Sequence, residues 1–288
     1  MSRGVFITGA SGKTGLALLE FMFEERGAET DVTCLCRGKR CRERLARFPV
    51  RIVYGDASDP ESLGSAYSGE ETVIHLSSIF HSPALLEACR ESKRLIVVSS
   101  TGVFSKHRSR AAQIVEMERL VMNSGVPSTI LRPTMIYGTP DDRNISRLVR
   151  FLERSRVVPL PGTGKARFQP VHVTDLARCI LACLSIDGSI DKSYNVPGGN
   201  AHSLAEIVRI IAGLLGRRVF IVPVPLALAS LAVRAMGPRI DPEQIERLRE
   251  DKTFSYDEAE RDLGYSPMSF EEGLLLQLEA MGLMTGNG

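Results

Sequence analysis

Apolar positions along the chain fall into short runs separated by longer amphipathic stretches, and this alternation predicts an α/β fold. Val5-Phe-Ile7 is compact and apolar, too short for a helix and right for a buried strand. Leu16-Ala-Leu-Leu-Glu-Phe-Met-Phe23 then places apolar residues along one helix face. Further runs at 31–36, 50–56, 72–78, 95–101 and within 125–138 predict strands, with helical segments such as 83–89 between them. Strands alternating with helices imply a doubly wound parallel sheet of Rossmann type, whose ligands gather at the carboxyl ends of the strands. After Gly138 the pattern loosens into a polar loop, followed by a helix at 146–153 and a turn at 159–164. A strand at 168–175 opens another helix with Thr174 or Asp175 as its cap. Ser203-Leu-Ala-Glu206 is a capping box ahead of an apolar run. These elements predict a dinucleotide-binding domain at 1–136 plus 170–196, and a smaller, mostly helical substrate lobe at 137–169 plus 197–288.

The turn between the first strand and helix reads Thr8-Gly-Ala-Ser-Gly-Lys-Thr-Gly15. Strand, glycine turn and helix together present backbone N–H groups and a helix dipole to a pyrophosphate. The first glycine gap is one residue longer than in G-x-G-x-x-G. Thr8, Gly9, Ser11, Gly12, Lys13, Thr14 and Gly15 are therefore cofactor candidates. About 20 positions on, an acid would bind a ribose 2′-OH and an arginine a 2′-phosphate. No acid stands between Asp31 and Glu43, whereas Arg37, Lys39, Arg40 and Arg42 do. Arg37 is the best-placed partner for a 2′-phosphate, which predicts NADP; Asp31 reaching round the strand end would keep NAD open. Asp56 and Ala57 are expected beside the adenine. Leu76, Ser77, Ser78, Ser99, Pro133 and Thr134 complete the cofactor set at the strand ends.

Composition changes this picture little. A hydrophobic content of 43%, a charged content of 24% and a net charge of +2 are ordinary globular values. No basic run with interleaved aromatics points to nucleic acid. Cysteines 34, 36, 41, 89, 179 and 183 lack C-x-x-C spacing and are expected to be reduced and structural, in a cytoplasmic setting. No cluster has metal-ligand spacing, so no metal is expected. The apolar stretch 219–233 is broken by Pro223 and Pro225 and is too short to span a membrane. The first strand lies so close to the start that no signal peptide is expected. A monomer or homodimer with a small-molecule substrate is the expected form.

Several motifs occur in one order along the chain. They are the glycine turn, Gly55-Asp56, Val73-Ile-His-Leu76, Val97-Val-Ser-Ser100, Leu131-Arg-Pro-Thr-Met-Ile-Tyr-Gly138, Gln169-Pro-Val-His-Val-Thr-Asp175 and Leu263-Gly-Tyr-Ser-Pro267. In these the chain resembles the short-chain dehydrogenase/reductase superfamily, in its extended, epimerase/dehydratase-like branch. The resemblance implies an NAD(P)-binding lobe and a small lobe that takes a nucleotide sugar or similar metabolite. It also implies a Ser or Thr ending the fifth strand, and a Tyr-x-x-x-Lys pair on the next helix. The chain departs here. Residues four beyond tyrosines 54, 67, 137, 194, 256 and 265 are Ser58, Glu71, Asp141, Gly198, Glu260 and Ser269. With Glu118-Arg-Leu as the helix's downstream end, Arg110 and Ile114 fall at the tyrosine and lysine positions.

The chain therefore looks like an atypical member. Ser100 matches the family hydroxyl, with Thr101 beside it. Lys106, His107 and Tyr137 are the candidates for a replacement acid. Arg143, Asn144 and His172 are the candidates for substrate contact. The expected function is an NAD(P)-dependent oxidoreductase or epimerase-like enzyme acting on a nucleotide sugar or other small polar metabolite. The alternatives are a non-catalytic NADP-binding sensor or assembly subunit, and a reductase of flavin or quinone type.

Overall fold

The computed structural model describes residues 4–26, 30–106, 108–162, 164–225 and 250–284. β1 (Val5–Thr8), β2 (Val32–Cys36), β3 (Arg51–Tyr54), β4 (Thr72–His75), β5 (Arg94–Val98), β6 (Ser128–Pro133) and a last strand, Lys192–Val196, form one 7-stranded sheet. All neighbours in it are parallel. The order is the last strand, β6, β5, β4, β1, β2, β3. From β1 the chain builds β2 and β3 on one side, then returns to lay β4 on the other. This reversal makes the carboxyl ends of β1 and β4 the place where a crevice opens. β1 and β2 are buried along their whole length, so both read as mostly apolar runs and not as alternation.

The helices are α1 (Lys13–Arg26), α2 (Lys39–Leu45), α3 (Pro60–Ala66), α4 (Ser82–Ala88) and α5 (Arg108–Met122), followed by α6 (Ile145–Arg154), α7 (Val173–Ser185) and α8 (Leu204–Leu214). The expected fold class is the observed one, but several strand ends move. β4 stops at His75 and β5 at Val98, because the chain leaves the sheet there into short helical turns. Ser78 and Ser100 cap those turns by accepting from the N–H groups of Phe80 and Gly102. α7 opens at Val173, so Thr174 and Asp175 sit within its first turn and do not cap it. The capping box of Ser203 and Glu206 forms as expected, and Ser269 with Glu272 makes a second one on the helix Phe270–Ala280.

The chain divides into two compact units: Met1–Pro133, Val173–Val196 and Tyr256–Ser266 in the first; Thr134–His172, Pro197–Ser255 and Pro267–Gly288 in the second. The first differs from the sequence-based boundaries by ending at Pro133 and not 136, resuming at Val173 and not 170, and adding the segment Tyr256–Ser266. Asp262 ties this segment down, accepting from Lys192 Nζ at 2.8 Å and from the Tyr194 hydroxyl at 3.1 Å. The second unit has its own core around Tyr137, Val149, Leu152, Ile207, Ile211, Phe270 and Leu274. Of the apolar stretch 219–233, Phe220–Val224 is a strand paired in parallel with Val157–Pro161, and 226–233 lie outside the described residues. Among the described residues no helix is long and apolar enough to cross a membrane.

His75 is fully buried at the end of β4, next to the crevice. Its Nε2 lies 3.0 Å from the Ser78 carbonyl oxygen, which can only accept, so that nitrogen carries the proton. Nδ1 then accepts from the Thr8 hydroxyl at 2.8 Å. The ring is neutral, and burial pulls its pKa from 6.5 down to about 4. The unfolded chain therefore takes up a proton below about pH 6.5 that the folded chain refuses until about pH 4, so stability falls with pH across that window. Urea unfolding at about pH 7 and about pH 5 should show a loss of about 2 kcal/mol from this group, and His75→Gln should remove that part of the loss. An equal loss in both chains would place the proton uptake elsewhere.

Candidate functional site

A cavity of about 620 Å³ opens at the carboxyl ends of the central strands. Gly9 and Ser11 come to it from the turn after β1, and Leu35, Arg37, Gly38, Lys39, Arg40, Cys41 and Arg44 from the end of β2 through α2. Asp56 and Ala57 follow β3; Ser77, Ser78 and His81 follow β4. Four strand ends thus supply one wall each, at the reversal of strand order.

The glycines of the first turn do different work. Gly9 has φ +74°, and a Cβ there would stand 2.8 Å from the Leu76 carbonyl carbon and the Ser77 nitrogen. A Cβ on Gly15 would meet the Ala10 carbonyl oxygen at 2.3 Å, so the turn after β1 and α1 approach too closely for any side chain. Gly12 is exposed, and its Cβ would meet only the Gly9 oxygen at 3.0 Å. Gly9 and Gly15 are needed for the fold; Gly12 leaves open the outer side of the helix N-terminus. The Gly12 N–H donates to Gly9 and its carbonyl accepts from Leu16, both at 2.9 Å, which closes the turn and starts the helix. No acid stands in the first turn of α1 to offset its dipole.

The β2 end is cationic. Arg37, Lys39 and Arg40 are exposed and Arg44 is half-buried, all along the cavity wall. Lys39 has a 4.0 Å contact with Glu43, but both are so exposed that it constrains Lys39 little. Asp31 precedes β2 at the opposite edge of the sheet, its carbonyl accepting from the Val5 N–H at 2.9 Å. Five strand residues at roughly 3.3 Å each put about 17 Å between it and the cavity. Asp31 does not reach round the strand end. Asp56 is oriented by Ser58, whose N–H and hydroxyl donate to Oδ1 at 2.9 and 2.8 Å; these bonds, with Arg37 nearby, hold its carboxyl below the usual range. Nδ1 of His81 is buried in the wall without a hydrogen-bond partner.

Other predicted cofactor residues lie apart from the cavity wall. The Thr8 hydroxyl is buried on His75. Lys13, Thr14 and Gly15 begin α1, and Leu76 backs Gly9. Ser99 is buried with its hydroxyl donating to Glu118 at 2.6 Å, and Glu118 in turn holds Arg132 through contacts of 2.6 and 3.0 Å. The Pro133 carbonyl accepts from Thr101 at 3.3 Å, and Thr134, in the second unit, donates to the Gln169 carbonyl.

The candidate acids are dispersed. Ser100 caps the turn Thr101–Phe104 through the Gly102 N–H at 2.9 Å. Lys106 is exposed, and His107 lies outside the described residues. Tyr137 is buried in the core of the second unit, donating to the Phe270 carbonyl at 3.3 Å and stacked edge-on against His172. His172 is itself buried there. Arg143 and Asn144 are exposed. Buried Asp142 organises that loop by accepting from the N–H groups of Asn144 and Ser146 at 2.8 and 3.1 Å. On α5, Arg110 is exposed and Ile114 is buried against Gly102. Ile114, expected from the sequence at the lysine position of the family's pair, is thus a buried apolar residue.

Sequence reasoning did not place His81, Gly38 or Arg44 at the site. His81 follows β4 on the crevice side, and topology alone could have pointed to it. A larger correction concerns the cysteines. Cys36 and Cys41 are joined in a disulfide, with Cα atoms 5.6 Å apart, because the chain turns at Gly38 into α2 and brings them within bonding reach. The expectation of six reduced thiols fails for this pair; Cys34, Cys89, Cys179 and Cys183 are buried thiols.

The chain is similar to known proteins in a way that matches this geometry. It is 33% identical over 145 residues to the NADH dehydrogenase [ubiquinone] 1 alpha subcomplex subunit 9 of Arabidopsis thaliana, covering 49% of this chain and 36% of that protein. It is 23% identical over 159 residues to the UDP-glucose 4-epimerase of Vibrio cholerae, covering 55% of this chain and 48% of that one. The chain thus spans less than half the length of either relative. In fold it is similar to MoeE5, solved in complex with UDP-glucose and NAD, with a TM-score of 0.74, 22% identity and coverage of 97% and 98%. The family model described as NAD(P)H-binding matches residues 9–186, from the first glycine of the turn through α7. With the cavity at the strand ends and the glycine turn at its edge, the chain belongs to this NAD(P)H-binding family.

Proposed function

We propose that the chain binds NADPH in the cavity at the carboxyl ends of β1 to β4 and acts as a dinucleotide-binding protein without the family's proton-transfer pair. The N-terminus of α1 and the outer side of Gly12 would take the pyrophosphate. Asp56 and Ala57 would border the adenine, and Arg37 with Lys39, Arg40 and Arg44 would surround the 2′-phosphate. The residues fit the cofactor on two counts: the dipole end of α1 carries no acid, and Asp31 lies before β2 at the amino ends of the strands, away from the cavity. Bound NADPH would supply a hydride. The residues that normally move the accompanying proton are missing.

Buried Ile114 is the single observation that carries the non-catalytic reading. Where a lysine would lower a tyrosine's pKa and hold the ribose, an apolar side chain packs under the turn Thr101–Phe104. The relation to a subunit of NADH dehydrogenase supports a role inside an assembly. The relation to UDP-sugar epimerases supports the competing one, turnover of a nucleotide sugar.

Titration of the purified chain with NADPH and NADH, followed by fluorescence, tests the cofactor. Arg37→Asp should weaken NADPH by roughly 10- to 100-fold, the loss of one charge-assisted phosphate contact, and leave NADH nearly unchanged. Equal losses would sink the 2′-phosphate assignment. Gly12→Val should cost at least about tenfold for both cofactors while the chain still unfolds cooperatively, since only the Gly9 oxygen crowds the new side chain. Unchanged affinity would make the glycine turn purely structural. Incubation of the NADPH complex with UDP-sugars should give no cofactor oxidation; steady turnover would restore the enzyme reading.

A further inference from the structure

Cys36 and Cys41 bracket the cationic residues Arg37, Lys39 and Arg40 in sequence, and their disulfide closes that segment into a small ring at the cavity wall. The two ends are held very differently without it. Cys36 is the last residue of β2, paired with Tyr54, its carbonyl accepting from the Gly55 N–H at 3.0 Å. Cys41 stands in the first turn of α2, a helix of 7 residues whose N-cap, Gly38, offers no side-chain bond. Its buried residue, Leu45, is at the far end. So short a helix is marginal on its own. The turn beside the cavity is otherwise closed by backbone bonds from Cys41 and Arg42 to the Gly38 carbonyl, at 3.1 and 3.3 Å. The covalent tie from rigid β2 therefore holds the start of α2, and the cations on it, in place.

We infer that the Cys36–Cys41 pair is a redox switch on cofactor selectivity: the disulfide form presents the preformed cationic loop to a 2′-phosphate, and the dithiol form does not. The inference rests on the NADPH reading. Oxidation proceeds by thiol–disulfide exchange with an external disulfide, such as glutathione disulfide. Cys41 is the partly exposed member and Cys36 the buried one. The Cys41 thiolate attacks the external disulfide, forming a mixed disulfide and expelling one thiolate, which takes a proton. The Cys36 thiolate then attacks the Cys41 sulfur and expels the second. The protein loses two electrons and two protons, and the external disulfide becomes two thiols.

The test equilibrates the full chain in glutathione buffers of oxidising and reducing ratio, counts thiols by alkylation after denaturing quench, and titrates each form with NADPH and NADH. Four thiols are expected in the oxidised form and six in the reduced. The oxidised form should bind NADPH roughly tenfold more tightly, about the cost of ordering one or two loop residues on binding, with NADH the same in both. Cys41→Ser should bind NADPH like the reduced form in either buffer. Six thiols in the oxidising buffer would overturn the inference, as would equal NADPH affinity in the two forms. A shift shared by NADPH and NADH would also overturn it, since the tie would then act on the whole site and not on the phosphate. Absence of NADPH binding in both forms would overturn the cofactor reading itself, and this inference with it.

Discussion

The close approach of β1 to α1 is the constraint on which the rest of the first unit depends. A strand can pass straight into a helix this tightly only where side chains are absent, and Gly15 lies so near the Ala10 carbonyl that even a methyl group would collide. Gly9 meets the backbone of Leu76 and Ser77, just after β4, in the same way, so one turn is held against both its own helix and the neighbouring strand's exit. With that turn fixed, the N-terminus of α1 faces the end of the sheet and its dipole has a defined target. His75 and Thr8 seal the floor beneath it with a neutral, fully paired contact.

From this turn the strand order follows, and with it the character of the cavity. Because β2 and β4 flank β1, the segments after them border the glycine turn from its two sides. What those segments carry decides what the cavity can hold. After β2 the chain offers cations; after β3, a carboxylate kept ionised by Ser58; after β4, small hydroxyls and a histidine. Such a gradient from positive to negative across one wall suits a ligand with a phosphate at one point and a base with amino groups at another.

Much of this was legible in the sequence, and the exceptions share a cause. The apolar runs of β1, β2, β4 and β5 showed themselves because strands buried on both faces carry mostly apolar residues. The glycine turn and Arg37 showed themselves because their chemistry is local. The sequence points to Thr8 and Ser99 as cofactor residues and to Tyr137 as a candidate acid, yet each is committed to a partner distant in sequence: His75, Glu118 and Phe270. Pattern shows that a side chain lies near a strand end; it does not show which way the hydroxyl turns once a partner competes for it. The disulfide was missed for a similar reason. A spacing of five is unremarkable until the turn at Gly38 folds it back.

Cofactor binding and proton transfer are separable in this architecture, because they draw on different elements. The cavity is built by the segments after β1, β2, β3 and β4, largely from backbone and from side chains anchored at strand ends. The resemblance implies a proton-transfer pair on the helix after the fifth strand, which here is α5, and among the described residues α5 adds nothing to that wall. Ile114 packs under the neighbouring turn, and Glu118, bonded to Ser99 and Arg132, fastens the far half of the same helix to the sheet. Under the proposed reading, Ile114 makes α5 a better strut and a poorer catalyst. Neither Ile114 nor Glu118 disturbs the glycine turn or the cationic loop. A chain of this kind can lose the chemistry of its fold while retaining the nucleotide, and the retained site is then free to respond to something other than substrate.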